Sequence, residues 1–481
     1  MKRWVFQSSW LLLAANSLLL GQTSNPADTD PVFLWLAGGL SHSRVEQLIR
    51  QHGVECRATP HFAAALQKAG ADDRVIQDFR RVSPAQPVCA YSAEAAELAT
   101  LVHEGKLAGA ETKTRTMLRG DSKNPWPHFV LGTILSAQER YDDALNAFIQ
   151  SSRLLPGSTD VHSQLSYVFY QMDDADNALA EARTALSMDP GNAEAYRYLG
   201  LALYTSGQYD AALNAFQKSL EREPDNPDVY YDMGIALRDQ GDLRRAAIAY
   251  RRAIKLNPVF WQAHSNLGVV LHDQGKLDEA VAEYREAKRL APDEASIRNN
   301  LGNTYCDKSE FDQAIAEFQE LYRQTPEWES GHACLARAYM AKRDYRSAIR
   351  ELKAAIQINP AGAAEHRILG QALLMVGRDE EAVAELRIAV SLNAGSALAH
   401  HYLGTALVNT QQAAEAEKEF REALRLDASA QNHYALAACL MALNRYEEAL
   451  GELEIASRLD PSKDLYRVRM QEVVRLITAA R

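Results

Sequence analysis

Seven of the thirteen histidines recur at one spacing and are the first candidates for chemistry. Successive members are 34 residues apart, or a multiple of 34, except at the last step. They are His128, His162, His264, His332, His366, His400 and His433. Zinc needs three or four ligands at roughly 2.0–2.3 Å, whereas one imidazole per repeat, about 10 Å apart, does not converge. Since Tyr196 and Tyr230 occupy the same place in sister segments, we expect packing residues, no metal site and no cofactor.

The five cysteines offer little nucleophilic chemistry. Cys56 and Cys89 flank a short N-terminal segment and are interpreted as two small buried hydrophobic residues, with a disulfide as the alternative. We interpret Cys306, Cys334 and Cys439 as packing thiols. The sequence contains no nucleophile elbow, phosphate-binding loop, paired metal motif or dinucleotide fingerprint. We therefore expect no enzyme, no catalytic residues and no catalytic domain.

Three aspartates form a second row at 34-residue spacing: Asp239, Asp273 and Asp307. Each lies near the C-terminal end of a predicted helix, where a carboxylate opposes the helix dipole at a cost of about 0.3–1 kcal/mol. Either the neighbouring Arg238 and His272 neutralise the row locally, or the row receives a Lys or Arg of a ligand. Both interpretations stay open at this point.

These rows are positioned by a 34-residue unit that is clearest in residues 226–294. Five residues of one copy, Gly234, Ala246, Tyr250, Ala253 and Pro258, recur in the next as Gly268, Ala280, Tyr284, Ala287 and Pro292. Asn226 is a good N-cap before Pro227, Gly241 ends the first helix, and Asp242 caps a second helix that ends at Asn257. The unit therefore predicts helix, turn, helix, turn, with small residues where the two helices pack.

The register extends over eleven repeats, residues 91–463, of which the first is the weakest match. Its alanine recurs, one residue early in the last unit, as Ala110, Ala144, Ala178, Ala212, Ala246, Ala280, Ala314, Ala348, Ala382, Ala416 and Ala449. This pattern resembles the tetratricopeptide repeat (TPR) family in its exported bacterial form. The resemblance implies an all-α fold, a right-handed superhelical α-solenoid. Residues 464–481 are predicted to form a C-terminal capping helix, with Leu465, Val468, Val473, Leu476 and Ile477 as its apolar residues.

In this family the first helix of each repeat lines a concave groove, and the resemblance therefore implies a peptide-binding site on those helices. The early repeats supply aromatic residues there, with Trp126 and Phe129 preceding Tyr167, Tyr170, Tyr198, Tyr204 and Tyr231. The middle repeats supply the amides of Asn266, Asn299, Asn300 and Asn303. This part is similar to the repeats of protein O-linked N-acetylglucosamine transferases, whose asparagines hydrogen-bond a peptide backbone. Asp232 and Cys334 interrupt the row on either side.

Two segments precede the repeats. Residues 1–24 contain Lys2, Arg3 and an apolar run too short to span a membrane comfortably, which predicts a signal peptide, with an uncleaved N-terminal anchor as the alternative. Residues 26–88 predict a module of three short helices with a marginal core of its own. We therefore expect the module to dock on the first repeat or to bind a ligand.

Composition limits the choice of partner. A formal net charge of −11 argues against nucleic acid as the main partner. We predict a periplasmic or secreted scaffold that binds an extended polypeptide in its groove. The alternative is an envelope or polysaccharide-export scaffold with a glycan-binding groove, because aromatic residues stack on sugars.

Overall fold

A computed structural model describes residues 28–52, 54, 56–80 and 86–480. The regular secondary structure of these residues is helical. Two isolated parallel β-bridges pair Asp28 with Ala90 and Arg57 with Val88. The predicted signal segment 1–24 lies outside the described residues. None of the helices described here has the length and apolar character that crossing a bilayer requires.

The chain divides after Pro258 into two compact units. Unit 1 contains an N-terminal module of four helices: α1 Asp30–Ala37, α2 His42–Gln51, α3 Pro60–Lys68 and α4 Asp73–Arg80. The prediction of three helices missed α1. Val32, Phe33, Leu34 and Trp35 are all buried, and a helix that is buried all round shows no amphipathic period.

Five helical pairs complete unit 1. They are α5 Ala93–His103 with α6 Leu107–Gly120, α7 Pro125–Ala137 with α8 Tyr141–Leu154, α9 Thr159–Gln171 with α10 Ala175–Met188, α11 Ala193–Thr205 with α12 Tyr209–Leu220, and α13 Pro227–Asp239 with α14 Leu243–Leu256. The two helices of each pair pack against each other, and each second helix up to α12 packs against the next first helix of the unit. This is the all-α helical-repeat solenoid that the sequence predicts.

Unit 2 contains six further pairs and one last helix. They are α15 Trp261–Asp273 with α16 Leu277–Leu290, α17 Ala295–Asp307 with α18 Phe311–Gln324, α19 His332–Ala341 with α20 Tyr345–Ile358, α21 Ala363–Met375 with α22 Asp379–Leu392, α23 Ala397–Asn409 with α24 Ala413–Leu426, α25 Ala430–Ala442 with α26 Tyr446–Leu459, and α27 Asp464–Ala480. In α19 the helix begins three residues late in its repeat, after Gly331, whose φ is +98°.

Helix boundaries follow the capping residues. The Asn226 side chain accepts hydrogen bonds from the backbone N–H groups of Asp228 and Val229, and Pro227 is the first helical residue. Gly241 has a φ of +89°, a left-handed conformation that favours glycine. Asp242 then caps α14 by accepting from the Arg245 N–H. These predicted boundaries are confirmed.

The small residue of each first helix lies against a large residue of the second. A Cβ placed on Gly234 would lie 2.5 Å from Cε1 of Tyr250, and one on Gly268 would lie 2.7 Å from Cε1 of Tyr284. Both tyrosines are almost fully buried. The prediction that small residues meet neighbours across helix contacts is confirmed, and the reason is steric.

Within each unit the first helices of neighbouring repeats come close to each other, as α9 does to α11 and α21 to α23. Second helices of neighbouring repeats make no comparable contact among the described residues. Closer spacing on one side curves a stack toward that side. The first helices therefore line the concave surface of each unit.

The last helix, α27, buries only part of its apolar residues. Tyr466 and Val473 of α27 are buried, whereas Leu465, Val468 and Leu476 are 48%, 59% and 36% exposed. The predicted C-terminal helix packs on α26, but Leu465, Val468 and Leu476 stay exposed. A single helix presents one stripe to its neighbour, and they lie outside that stripe.

Candidate binding surfaces

In unit 1 the N-terminal module covers the concave surface of the early repeats. Trp35 of α1 meets Trp126 of α7 edge to face, with ring centroids 5.7 Å apart. The Gly38 backbone lies directly against the Phe129 ring, and the Thr133 hydroxyl donates to the Gly38 carbonyl at 3.3 Å. Trp126 and Phe129, which the sequence places in an open groove, are therefore occupied by the chain's own module.

One arginine of the module reaches further along the stack. The Arg44 guanidinium donates to both carboxylate oxygens of Asp160, at 2.7 and 2.9 Å, and to Asp189 at 3.0 Å. Burial by itself would lower the pKa of Arg44, but the attraction of Asp160 and its hydrogen bonds raise it overall. Together with the hydrogen bond from Ser41 to Glu223, this contact docks the module across the first four repeats rather than on the first alone.

The predicted tyrosine groove is only partly open. Tyr167 packs on Tyr198 with centroids 5.3 Å apart and on Tyr170 at 6.4 Å. Tyr198 is 6% exposed, so it offers no free ring face to a ligand. Tyr204 donates its hydroxyl to Asp239, and Tyr231 packs against a buried tyrosine of α14. Tyr167, Tyr170, Tyr204 and Tyr231 remain half-buried.

A network of ionisable groups lies beside these tyrosines, and the sequence predicts no role for its members Glu194, Arg197 and Asp228. Glu194 accepts from the Tyr198 hydroxyl at 2.9 Å and from the Gln164 amide at 3.2 Å. Arg197 donates to Asp232 at 2.6 Å and to Asp228 at 3.4 Å. Burial raises the pKa of Glu194 to about 7, the Tyr198 hydrogen bond opposes that shift, and nearby carboxylates add to it. No motif marks these residues, because the chain brings them together only through repeat stacking.

In unit 2 the predicted asparagines lie on α17 and α15. Asn299 accepts from the Ser330 hydroxyl at 2.9 Å, which ties α17 to the turn before α19. Among the described residues, no hydrogen-bond partner is found for the Asn300 amide nitrogen or the Asn303 side chain. Both residues are half-buried, as is Asn266. Asn300 Oδ1 accepts from Asn299 Nδ2 at 3.5 Å, so the Asn300 amide nitrogen and the Asn303 amide are available on this first helix of unit 2.

The aspartate row is largely neutralised within the chain. Asp239 accepts from Arg238 at 2.9 Å. Asp307 lies 3.0 Å from Nε2 of His272 and 3.3 Å from the Arg337 guanidinium. Asp273 is 3.7 Å from Nδ1 of His272 and stays exposed. These contacts favour local neutralisation over a row that selects a basic ligand.

The histidine row is a row of histidine–glutamate hydrogen bonds inside the repeats. Six members place Nδ1 2.6–2.8 Å from a glutamate that follows 19 residues later, on the second helix. The pairs are His162–Glu181, His264–Glu283, His332–Glu351, His366–Glu385, His400–Glu419 and His433–Glu452. A glutamate 19 residues after each of these histidines is the signal in the sequence that could have predicted the pairs. Each pair links the two helices of one repeat.

The cysteine interpretation is wrong for two of the three repeat cysteines. Cys306 of α17 and Cys334 of α19 form a disulfide, with Cα atoms 6.1 Å apart across neighbouring first helices. Cys56 and Cys89 also form a disulfide, against the preferred interpretation. Cys439 is a buried free thiol, as predicted. Repeat stacking brings Cys306 and Cys334 together, which their 28-residue separation does not reveal.

The fold and these surfaces define a class, a helical-repeat scaffold for protein–protein interaction. A family model described as a tetratricopeptide repeat matches residues 231–295, 335–397 and 403–464, and a model described as a TPR repeat matches residues 200–241. The chain is a tetratricopeptide repeat protein.

Several solved structures are similar to this chain. YrrB, described as a TPR protein with an unusual peptide-binding site, is 24% identical, with 41% of this chain and 99% of that chain covered and a TM-score of 0.33. A tetratricopeptide repeat protein from Parabacteroides merdae is 17% identical, with coverage of 52% and 98% and a TM-score of 0.36. PilF of Pseudomonas aeruginosa is 18% identical, with coverage of 45% and 95% and a TM-score of 0.38. No curated protein matches the sequence.

Proposed function

We propose that this chain is a non-catalytic scaffold that binds an extended segment of a partner polypeptide on the concave side of unit 2. The observation that carries the proposal is the pair of half-buried amides, Asn300 and Asn303, on α17. An amide both donates and accepts hydrogen bonds, so it matches the alternating groups of a peptide backbone. In unit 1 the module occupies the corresponding surface, whereas in the described part of unit 2 the helices that pack against α17 are its repeat neighbours α15, α16, α18 and α19.

The neighbouring first helices supply an anchor next to the amides. A cavity of about 430 Å³ between α19 and α21 is lined by Met340, Ile368 and Met375 together with Arg337 and Arg367. Met375 is 56% exposed, and methionine adapts to varied apolar side chains. We propose that this cavity takes an apolar side chain of the bound segment and that an acidic neighbour meets Arg367. A glycan would need open ring faces, which the packed tyrosines of unit 1 provide poorly.

We also propose that the scaffold works outside the cytoplasm. The signal-like segment 1–24 supports this, and so do the two disulfides, which persist in oxidising compartments. Fractionation of cells that express the full chain tests this proposal. We expect recovery with extracytoplasmic markers and with both disulfides formed. Recovery with cytosolic markers and reduced thiols would contradict it.

Site-specific crosslinking tests the binding site. A photo-reactive residue is placed at Asn300 or Asn303 of the full chain in living cells, and a matched control is placed at Arg289, which is exposed on the second helix α16. We expect polypeptide adducts from the two concave positions, weakened by Met375→Asp, and none of the same mass from position 289. The same adducts from all three positions, or none from α17, would defeat the assignment.

A further inference from the structure

Unit 1 contains a polar cavity of about 440 Å³ under the turn between α1 and α2. The turn contributes Gly38, Gly39 and Ser41, and the opposite wall comes from the first helices α7, α9 and α11 and the start of α13. The cavity therefore exists only because the module is docked on the repeats. It is separate from the asparagine surface of unit 2.

Two carboxylates that line the cavity have only neutral partners. Glu194 is held by the Tyr198 hydroxyl and the Gln164 amide. Glu223 accepts from the Ser41 hydroxyl at 2.7 Å. The nearby cations are already paired, Arg44 with Asp160 and Asp189, and Arg197 with Asp228 and Asp232. The cavity wall thus carries uncompensated negative charge.

A buried hydroxyl in the same wall supplies an independent indication of a ligand. Ser136 of α7 is 8% exposed and lines the cavity. Its Oγ has no hydrogen-bond partner within the part of the chain that the structure describes. A buried polar atom without a partner costs about 1–3 kcal/mol. A bound group with hydrogen-bond donors would remove that cost.

We infer that this cavity is a binding site for a basic side chain, lysine or arginine, of a polypeptide partner. An ammonium or guanidinium group offers several N–H donors and one positive charge. These match the Glu194 and Glu223 carboxylates and the Ser136 hydroxyl oxygen. A metal ion fits less well, since no group of three His, Cys, Asp or Glu ligands occurs among the described residues. The inference rests on the proposed function only in taking the partner to be a polypeptide.

Small mimics of the two side chains test the site on the full chain. Binding of n-butylammonium and n-butylguanidinium is measured by ligand-observed NMR at pH 8, with 1-butanol as the uncharged control. We expect saturable binding of both cations and at least a tenfold loss of affinity in the Glu194→Gln/Glu223→Gln variant. Glu221→Gln, which removes an exposed charge beside the same helix end, should leave the affinity within twofold.

A second variant keeps the test valid if the double variant does not fold. Ser136→Val retains both carboxylates but fills part of the cavity, and we expect it to weaken cation binding at an unchanged melting temperature. Equal binding of butanol and butylammonium, or full affinity in both the double variant and Ser136→Val, would overturn the inference. The crosslinks from Asn300 do not depend on this cavity, so the two proposals fail separately.

Discussion

Arg44 and Asp160 form a two-pronged ion pair between the N-terminal module and the third repeat, with Asp160 only 2% exposed. A buried pair of this kind is weak evidence for net stability, because desolvation offsets the attraction. Removing one partner, however, leaves the other charge buried and uncompensated. The pair therefore fixes where the module docks.

Replacing Asp160 with alanine should loosen the module. We expect a loss of about 3–5 kcal/mol in the free energy of docking, because Arg44 keeps a buried charge, with Asp189 as its remaining partner. Hydrogen exchange should then accelerate in α1–α4 while α15–α27 keep their protection. Asp176→Ala, on an exposed face of α10, is the matched control. Unchanged exchange in the module would show that the pair does not hold it.

Glycine at position 234 is required by the Tyr250 ring that packs against it. Gly234→Val places a Cβ within about 2.5 Å of the Tyr250 ring and should destabilise unit 1 by about 1–3 kcal/mol. Gly451→Ala, in a helical position where an added Cβ meets nothing within 4 Å, should instead stabilise by about 0.5–1 kcal/mol. Chemical denaturation of both variants measures the contrast, and equal effects would contradict the steric account.

The sequence predicts the contacts that recur in every 34-residue repeat. It does not predict a contact between repeats that occurs only once. Asn226, Gly234 and Gly241 act through neighbours in their own repeat, so one copy of the pattern predicts their roles. The Cys306–Cys334 disulfide joins two repeats through residues that no other repeat shares. Periodicity carries no information about such a single contact.

The same distinction applies to the candidate sites: some residues are predicted by the repeat pattern and others are not. The amides of α17 are predicted from family positions, and in the structure Asn300 and Asn303 are half-buried residues of that helix. Glu194 was missed because its environment depends on Gln164 and Asp160, which belong to the preceding repeat. A helix such as α1, buried on all sides, likewise leaves no amphipathic signal.

The His162–Glu181 pair predicts a pH dependence. The hydrogen bond that His162 Nδ1 donates to the Glu181 carboxylate raises the pKa of His162 above 6.5, and partial burial opposes this shift. A raised histidine pKa stabilises the fold fully below pH 6.5 and loses that contribution as the pH rises through the folded value. We expect the melting temperature of unit 1 to fall from pH 6 to pH 8.5, and to fall less in Glu181→Gln. Equal slopes in both proteins would contradict this.

The disulfides predict a thiol count. The chain has five cysteines, and two disulfides leave Cys439 free. Unfolding without reductant should therefore expose one reactive thiol per chain, and unfolding with reductant five. In the native state Cys439 should react slowly, because burial raises its pKa to about 11. Cys56→Ala/Cys89→Ala should cost about 2–4 kcal/mol, and no measurable loss would show that the module does not need its crosslink.

Glu194 should couple cation binding to pH near neutrality. Its pKa of about 7 results from burial and from the carboxylates of Asp160 and Glu223, against the Tyr198 hydrogen bond and Arg197. A raised carboxyl pKa means that the folded state loses stability as the pH rises through 7, because ionisation in the cavity is costly. The same ionisation creates the charge that a cation needs.

We therefore expect the affinity for n-butylammonium to increase from pH 6 to pH 8 and the melting temperature of the unliganded chain to decrease over the same range. Both trends should be reduced in Glu194→Gln, which keeps the hydrogen-bonding shape without the titration. Melting curves and NMR titrations at matched ionic strength measure the two together. A binding constant that does not change with pH in the wild-type chain would contradict this prediction. It would show that ionisation of Glu194 does not contribute to cation binding.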